Sequence, residues 1–177
     1  QSVLDYERTS TNSWPGGGDD CDSPVEVAAP RVEFNCFEST QIAGEVKGFD
    51  VTEYISAKEA RRMDIFIHYG LAAGVQAIKD SGIVVTPENA ERIGVNIGSG
   101  IGGLPMIEDT HNDFLAAGPR KISPFFITGT IINMISGNLS VMHGLKGPNL
   151  AMVSACTTGT HCIGESARII EYGDADV

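Results

Sequence analysis

Positive charge is scarce in this chain. Twelve Lys and Arg stand against 23 Asp and Glu over 177 residues, a formal net charge of −11. Nucleic-acid binding needs a basic footprint, so that class is excluded as a general activity. Long hydrophobic runs are also missing. No apolar stretch approaches the length of a membrane span, and no N-terminal signal pattern is present, which argues against a membrane protein. Cysteine is sparse and unpatterned: Cys21, Cys36, Cys156 and Cys162 show neither a disulfide framework nor a C-x-x-C or paired Cys/His spacing. The expectation is a reducing, cytoplasmic setting with no metal. What is there is one domain's worth of chain with 42% hydrophobic residues, enough for a substantial core and too much for a disordered segment.

One stretch organises the rest: Leu150-Ala151-Met152-Val153-Ser154-Ala155-Cys156-Thr157-Thr158-Gly159-Thr160-His161. It opens as a short apolar run, as a buried strand does, and passes into a helical pattern carried by Ile163, Ala167 and Ile170. Gly159 and Gly164 predict a helix lying close on a neighbour, and Gly173 predicts its stop. Cys156 therefore sits at a strand-to-helix corner. There the unpaired N–H groups of the first turn and the positive end of the helix dipole favour a thiolate, and the same N–H groups stabilise an oxyanion. A thiolate so placed is a nucleophile. The plainer account is a buried small hydrophobe, as most free cysteines are.

Upstream, residues 1–36 read as a divergent or disordered segment. Ser13–Asp20 is loop-like, and Val25–Phe34 is a weak strand. Ser56-Ala57-Lys58-Glu59 is a capping box. The helix it opens carries Met63, Phe66, Ile67, Leu71, Val75 and Ile78 up to Asp80-Ser81-Gly82, with Gly70 and Gly74 marking either close packing or a break into two helices. Thr86-Pro87-Glu88 predicts a short helix, and Ile93–Ile97 alternates as a strand. That strand runs into Gly98-Ser99-Gly100-Ile101-Gly102-Gly103, a literal G-x-G-x-x-G. The acidic residue expected about twenty positions further on in a dinucleotide site is missing, so nicotinamide binding is a weak alternative. Thr130–His143 reads as a buried helix with Gly137 at a close contact. Ala175-Asp176-Val177 looks like the opening of another strand.

Four histidines are candidates for an acid–base partner. His161 follows Cys156 by five positions, where helical side chains diverge. His143 at a helix end fits packing or capping, and His68 fits a surface or core role. Cys162 reads as a packed thiol. Lys58, Arg61 and Arg62 share one helix face, and Arg120 with Lys121 forms a second basic pair. A solvated face and a loop charge account for both without any partner.

Ala155-Cys156-Thr157-Thr158-Gly159 and Ala167–Val177, with the Gly98–Leu104 and Gly118-Pro119-Arg120-Lys121-Ile122-Ser123-Pro124-Phe125-Phe126 motifs, resemble the β-ketoacyl-acyl-carrier-protein synthases, most of all the bacterial type II enzymes. The resemblance runs from about Phe37 to Val177. It implies an α/β thiolase-like fold of which 37–177 supplies most of the first of two βαβαβ halves, a fragment whose second half, with two catalytic histidines and a lysine, is absent. It implies Cys156 as the nucleophile of decarboxylative condensation, His111 at a position seen in the family but not a catalytic one, no cofactor, and a homodimer when full length. Ile101 would limit how far the acyl chain enters, and Phe126 would lie in the pocket wall near the dimer interface. Lys58, Arg61, Arg62, Arg120 and Lys121 would dock the acidic acyl carrier protein. A polyketide-type ketosynthase and a non-catalytic carrier-binding protein are the alternatives.

Overall fold

Two parallel strands, β1 (Val95–Asn96) and β2 (Asn149–Leu150), pair in the register Val95 to Asn149 and Asn96 to Leu150. They are shorter than the alternation over Ile93–Ile97 and the apolar run from Leu150 predict. The computed structural model describes Gly44 and residues 46–177, and the fold is that of Asp50–Val177. Segment 1–36, with its weak strand over Val25–Phe34, lies outside the described residues. The C-terminal residues return beside the segment that leads into β1. Val177 donates its N–H to Arg92 O and accepts from Gly94 N–H at 2.8 Å. The bonds follow the parallel pattern, but the sheet consists of β1 and β2, and the expected strand over Ala175–Val177 is not formed: the segment is irregular backbone held beside the residues that lead into β1. Arg92 and Asp176 form an ion pair across the same edge at 2.6 Å, and the hydrogen bond from Arg92 holds the Asp176 carboxyl below its ordinary range.

The helices follow from local signals. Ser56 and Glu59 make the reciprocal capping bonds that open α1 (Ala57–Ala60). The helix then breaks, not at either glycine but at Arg61–Asp64, where Asp64 caps α2 (Ile65–Ser81). Gly82 closes α2 at φ 67°. Thr86-Pro87-Glu88 gives a turn rather than a helix. The Asn89 side chain accepts from Thr86 N–H at 2.7 Å and holds the turn, and a 3₁₀ turn over Ala90–Arg92 follows. After β1 come α3 (Leu104–Ala117), α4 (Phe126–Thr130) and α5 (Met134–His143). The predicted Thr130–His143 helix thus starts at Met134, and Gly137 makes no tight contact; a Cβ there would meet nothing nearer than Met134 Sδ at 4.0 Å. After β2 a 3₁₀ turn over Ala155–Thr157 leads directly into α6 (Thr158–Glu171).

Gly70 and Gly74 mark close packing. A Cβ at Gly70 would lie 2.5 Å from Ile135, and one at Gly74 2.6 Å from Leu139. This brings α2 against α5, and Ile67, Leu71, Ile135 and Leu139 form the core with Val95 and Ile93. Strand side chains alternate between faces. Val95 joins that core, while Asn96 donates to Cys162 O of α6 at 3.1 Å. α2 and α5 therefore lie on one face of the strand pair and α6 on the other.

Two buried polar side chains tie this frame together. Ser136 is fully buried on α5; its Oγ accepts from Ile97 N–H at 3.1 Å and donates to Leu150 O at 2.7 Å, joining the exits of β1 and β2. Asp64, 4% exposed, accepts from Phe66 N–H at 3.3 Å and from Met106 N–H at 2.8 Å, so one carboxylate caps both α2 and the first turn of α3. Asp64→Ala is expected to cost about 3 kcal/mol, since each cap is worth about 1 kcal/mol or more and a charged acceptor adds to it. Urea denaturation measures this; a loss under about 1 kcal/mol would contradict the double-cap role.

Candidate active site

Both strand exits lead to one place. β1 continues into the Gly98–Gly103 loop and β2 into Ala151–Ser154, and the two segments touch. A Cβ at Gly98 would lie 2.1 Å from Met152 O and 2.4 Å from Thr158 Cγ2, so only glycine fits there. A Cβ at Gly100 would come within 3.5 Å of Ala155. Of the glycines of the G-x-G-x-x-G, Gly98 thus serves close passage of backbone over the turn before α6, and Gly103, whose Cβ would lie 2.8 Å from Thr130 Cα, serves close passage over the end of α4, while a Cβ at Gly100 would make only ordinary contact. That is a packing reason for Gly98 and Gly103, independent of any phosphate.

The turn itself is strained. Ala155 has φ 51°, the one positive φ at a non-glycine among the described residues. The left-handed conformation costs an L-residue about 1 kcal/mol. Three bonds hold it. Thr157 N–H donates to Ser154 O at 3.0 Å, Ser154 N–H donates to Thr158 Oγ1 at 3.0 Å, and Thr158 Oγ1 donates to Ala155 O at 2.7 Å. The result is to turn Cys156 outward. Its thiol is free and exposed, at the foot of a fourteen-residue helix whose N-cap Thr157 makes no side-chain capping bond. The corner expected for Cys156 is present, with a 3₁₀ turn where a direct strand-to-helix junction was expected.

The histidines reach different partners. His161 Nδ1 lies 3.2 Å from Ser154 Oγ, so its ring reaches back to the elbow across the first turn of α6. His68 Nε2 bonds Ala60 O at 2.9 Å, a packing role. The Nε2 of His143, at the end of α5, is buried with no hydrogen-bond partner. Cys162 is the packed thiol it was read to be, 8% exposed. Gly159 and Gly164 are a correction: no atom lies within 4 Å of a Cβ at either, and Ile163 on the same helix is 74% exposed. The helix touches the sheet through Cys162 and Asn96, not through its glycines.

Ile101 lies exposed on the Gly98–Gly103 loop, and Phe126 is half-buried at the start of α4. Their segments meet one step away, where Gly103 N–H donates to Thr130 O at 3.1 Å. The basic residues are all exposed. Lys58 sits in α1, Arg61 at its C-cap, and Arg120 and Lys121 in the 3₁₀ turn Pro119–Lys121. Arg62 is stacked over the Phe125 ring at 4.1 Å, which joins the end of α1 to the segment carrying the second pair. Among the described residues no three His, Cys, Asp or Glu side chains converge on a metal position, and no helix is long and apolar enough to cross a membrane.

The model of the β-ketoacyl synthase N-terminal domain matches residues 22–177. The chain belongs to the β-ketoacyl synthase family. The match begins inside the segment that reads as divergent, at residue 22. Over 138 residues, 78% of this chain, it is 63% identical to 3-oxoacyl-[acyl-carrier-protein] synthase 2 of Vibrio cholerae. Over 137 residues, 77% of this chain, it is 52% identical to the synthase 2 of Coxiella burnetii. In both cases the chain spans 33% of the relative's length. Among solved structures it is similar to a type II polyketide ketosynthase bound to a hexaketide and in complex with its acyl carrier protein. That match has a TM-score of 0.66 and 27% identity, over 73% of this chain and 38% of that one. A β-ketoacyl synthase from Burkholderia phymatum shares the fold, with a TM-score of 0.61 and 22% identity over 73% of this chain and 32% of that one. The α/β architecture is thus the thiolase-like one of the ketosynthases.

Proposed function

We propose that this β-ketoacyl synthase extends acyl chains by two carbons. The observation that supports this most is the elbow: an exposed thiol presented by a strained turn at the foot of α6. The Cys156 thiolate attacks the acyl thioester carbonyl, the oxyanion is stabilised by backbone N–H groups at the turn, including that of Cys156, and the carrier thiol leaves. A malonyl thioester then loses CO₂, and the resulting enolate attacks the acyl-cysteine carbonyl. Cys156 is released as thiolate, and a 3-oxoacyl thioester leaves on the carrier. The family resemblance assigns enolate stabilisation to two histidines in the part of the relatives' length that this chain does not span. Identity of 63% to a 3-oxoacyl-[acyl-carrier-protein] synthase 2 against 27% to a polyketide ketosynthase favours fatty acyl substrates.

The carrier protein is acidic in this reading, and Lys58, Arg61, Arg120 and Lys121 meet it, with Arg62 holding the two clusters together through Phe125. Ile101 and Phe126 face the acyl chain. A cytoplasmic homodimer fits the exposed apolar residues Val141, Ile163 and Tyr172, which a partner surface would cover. The test is steady-state elongation by the protein at its relatives' full length. A covalent intermediate predicts parallel double-reciprocal lines for the acyl and malonyl substrates. Arg120→Glu with Lys121→Glu raises KM for both carrier-bound substrates about tenfold or more, with kcat little changed. Intersecting lines would exclude the acyl-enzyme, and an unchanged KM would remove the docking assignment.

A further inference from the structure

Thr158 stands among hydroxyl residues that look alike in sequence, Thr157, Thr158 and Thr160, yet the fold treats it differently. It is 6% exposed, whereas Thr157 and Thr160 are exposed. Its hydroxyl accepts from Ser154 N–H at 3.0 Å and donates to Ala155 O at 2.7 Å, so it bonds the backbone on both sides of the Ser154–Ala155 step. That step carries the positive φ of Ala155, 51°, immediately before Cys156. Its methyl fills the space a Cβ would need at Gly98, 2.4 Å from Cγ2. One side chain therefore touches the strained residue, the residue before it and the glycine loop over the turn.

We propose that Thr158 is a positioning residue for Cys156: its hydroxyl holds Ala155 in the left-handed conformation and so keeps the thiol at the foot of α6. This rests on reading Cys156 as the nucleophile. An alanine at φ 51° relaxes when nothing holds it. Without the hydroxyl, Ser154 N–H and Ala155 O lose their partner, the turn opens, and the thiol leaves the field of the helix N-terminus. The consequence is reduced thiolate reactivity, not increased access, because Cys156 is already exposed.

The experiment is site-resolved alkylation of the chain with iodoacetamide at neutral pH, read by peptide mass. Cys162, buried on the same helix, reports on general loosening. Wild-type Cys156 reacts faster than a free peptide thiol; a rate no faster would sink the nucleophile reading itself. In Thr158→Val, which keeps the shape and removes the hydroxyl, the Cys156 rate falls about fivefold while Cys162 stays protected. In Thr158→Ser, which restores the hydroxyl, the rate returns to within about twofold of wild type. A fast wild type with an unchanged Thr158→Val rate overturns the positioning role and leaves the nucleophile reading intact. Should Thr158→Val also expose Cys162, Thr158→Ser decides: a retained Cys156 rate supports the role, and a lost one with Cys162 protected overturns it.

Discussion

Elongation is expected to stop when Cys156 is replaced by alanine, with kcat/KM falling about 10³-fold or more. No neighbour takes over. Ser154 and Thr157 bracket the position, but an alcohol at neutral pH needs an adjacent base to become a nucleophile. Ser154 Oγ is bonded to His161 at 3.2 Å, which gives it a partner, but on the residue before the strained alanine rather than at the outward point of the turn. The substitution leaves the fold in place. Cys156 is exposed and fills no core, so stability changes by less than about 0.5 kcal/mol. The check is product formation by mass alongside a urea melt. Loss of activity with an unchanged melt is expected, and retained elongation would contradict the assignment of the nucleophile.

Gly98→Ala is expected to be the most damaging small substitution in the described fold, costing about 3 kcal/mol or more. Its Cβ would fall 2.1 Å from Met152 O and 2.4 Å from Thr158 Cγ2. The first of these is main chain on the way to the elbow and cannot rotate aside; the second is the side chain that holds Ala155. Relief therefore moves the β1 exit or the turn before α6, and either displaces Cys156. Gly159→Ala is the matched control. It lies in α6 with nothing within 4 Å of its Cβ position, and alanine is the better helix former, so stability is unchanged or rises by up to about 1 kcal/mol. Denaturant midpoints of the two variants measure the contrast. A mild Gly98→Ala would mean that the loop does not rest on the elbow.

Those two glycines also show where reading the residues works and where it stops. Ser56 and Glu59 are legible because a capping box is a local device, complete within four residues. Gly70 and Gly74 are legible because they interrupt a strong apolar face at a spacing that puts both on one side, and that side meets Ile135 and Leu139. Gly159 and Gly164 carry the same signal but face no neighbour, since a helical period says which residues share a face and not whether anything covers it. The strands shrink to two residues each because ladder bonds require a partner at every step, and the chain leaves β1 at once for the glycine loop. Cys156 was readable as a corner residue. The inward turn of the Thr158 hydroxyl and the reach of His161 back to Ser154 were not, because the positive φ at Ala155 sets the phase of α6 and so decides which hydroxyl turns inward. Arg62 read as one more free cation of a docking face; its stacking on Phe125 depends on a contact between segments some sixty positions apart.

The central claim is that Cys156 takes an acyl group from a carrier protein. Intact-protein mass after incubation with an acyl-acyl carrier protein tests it, with Cys156→Ser run beside it. The account predicts a gain of one acyl group in the wild-type protein at its relatives' full length and none in the variant. An acyl gain of equal size in Cys156→Ser, or no gain in the wild type, would contradict it.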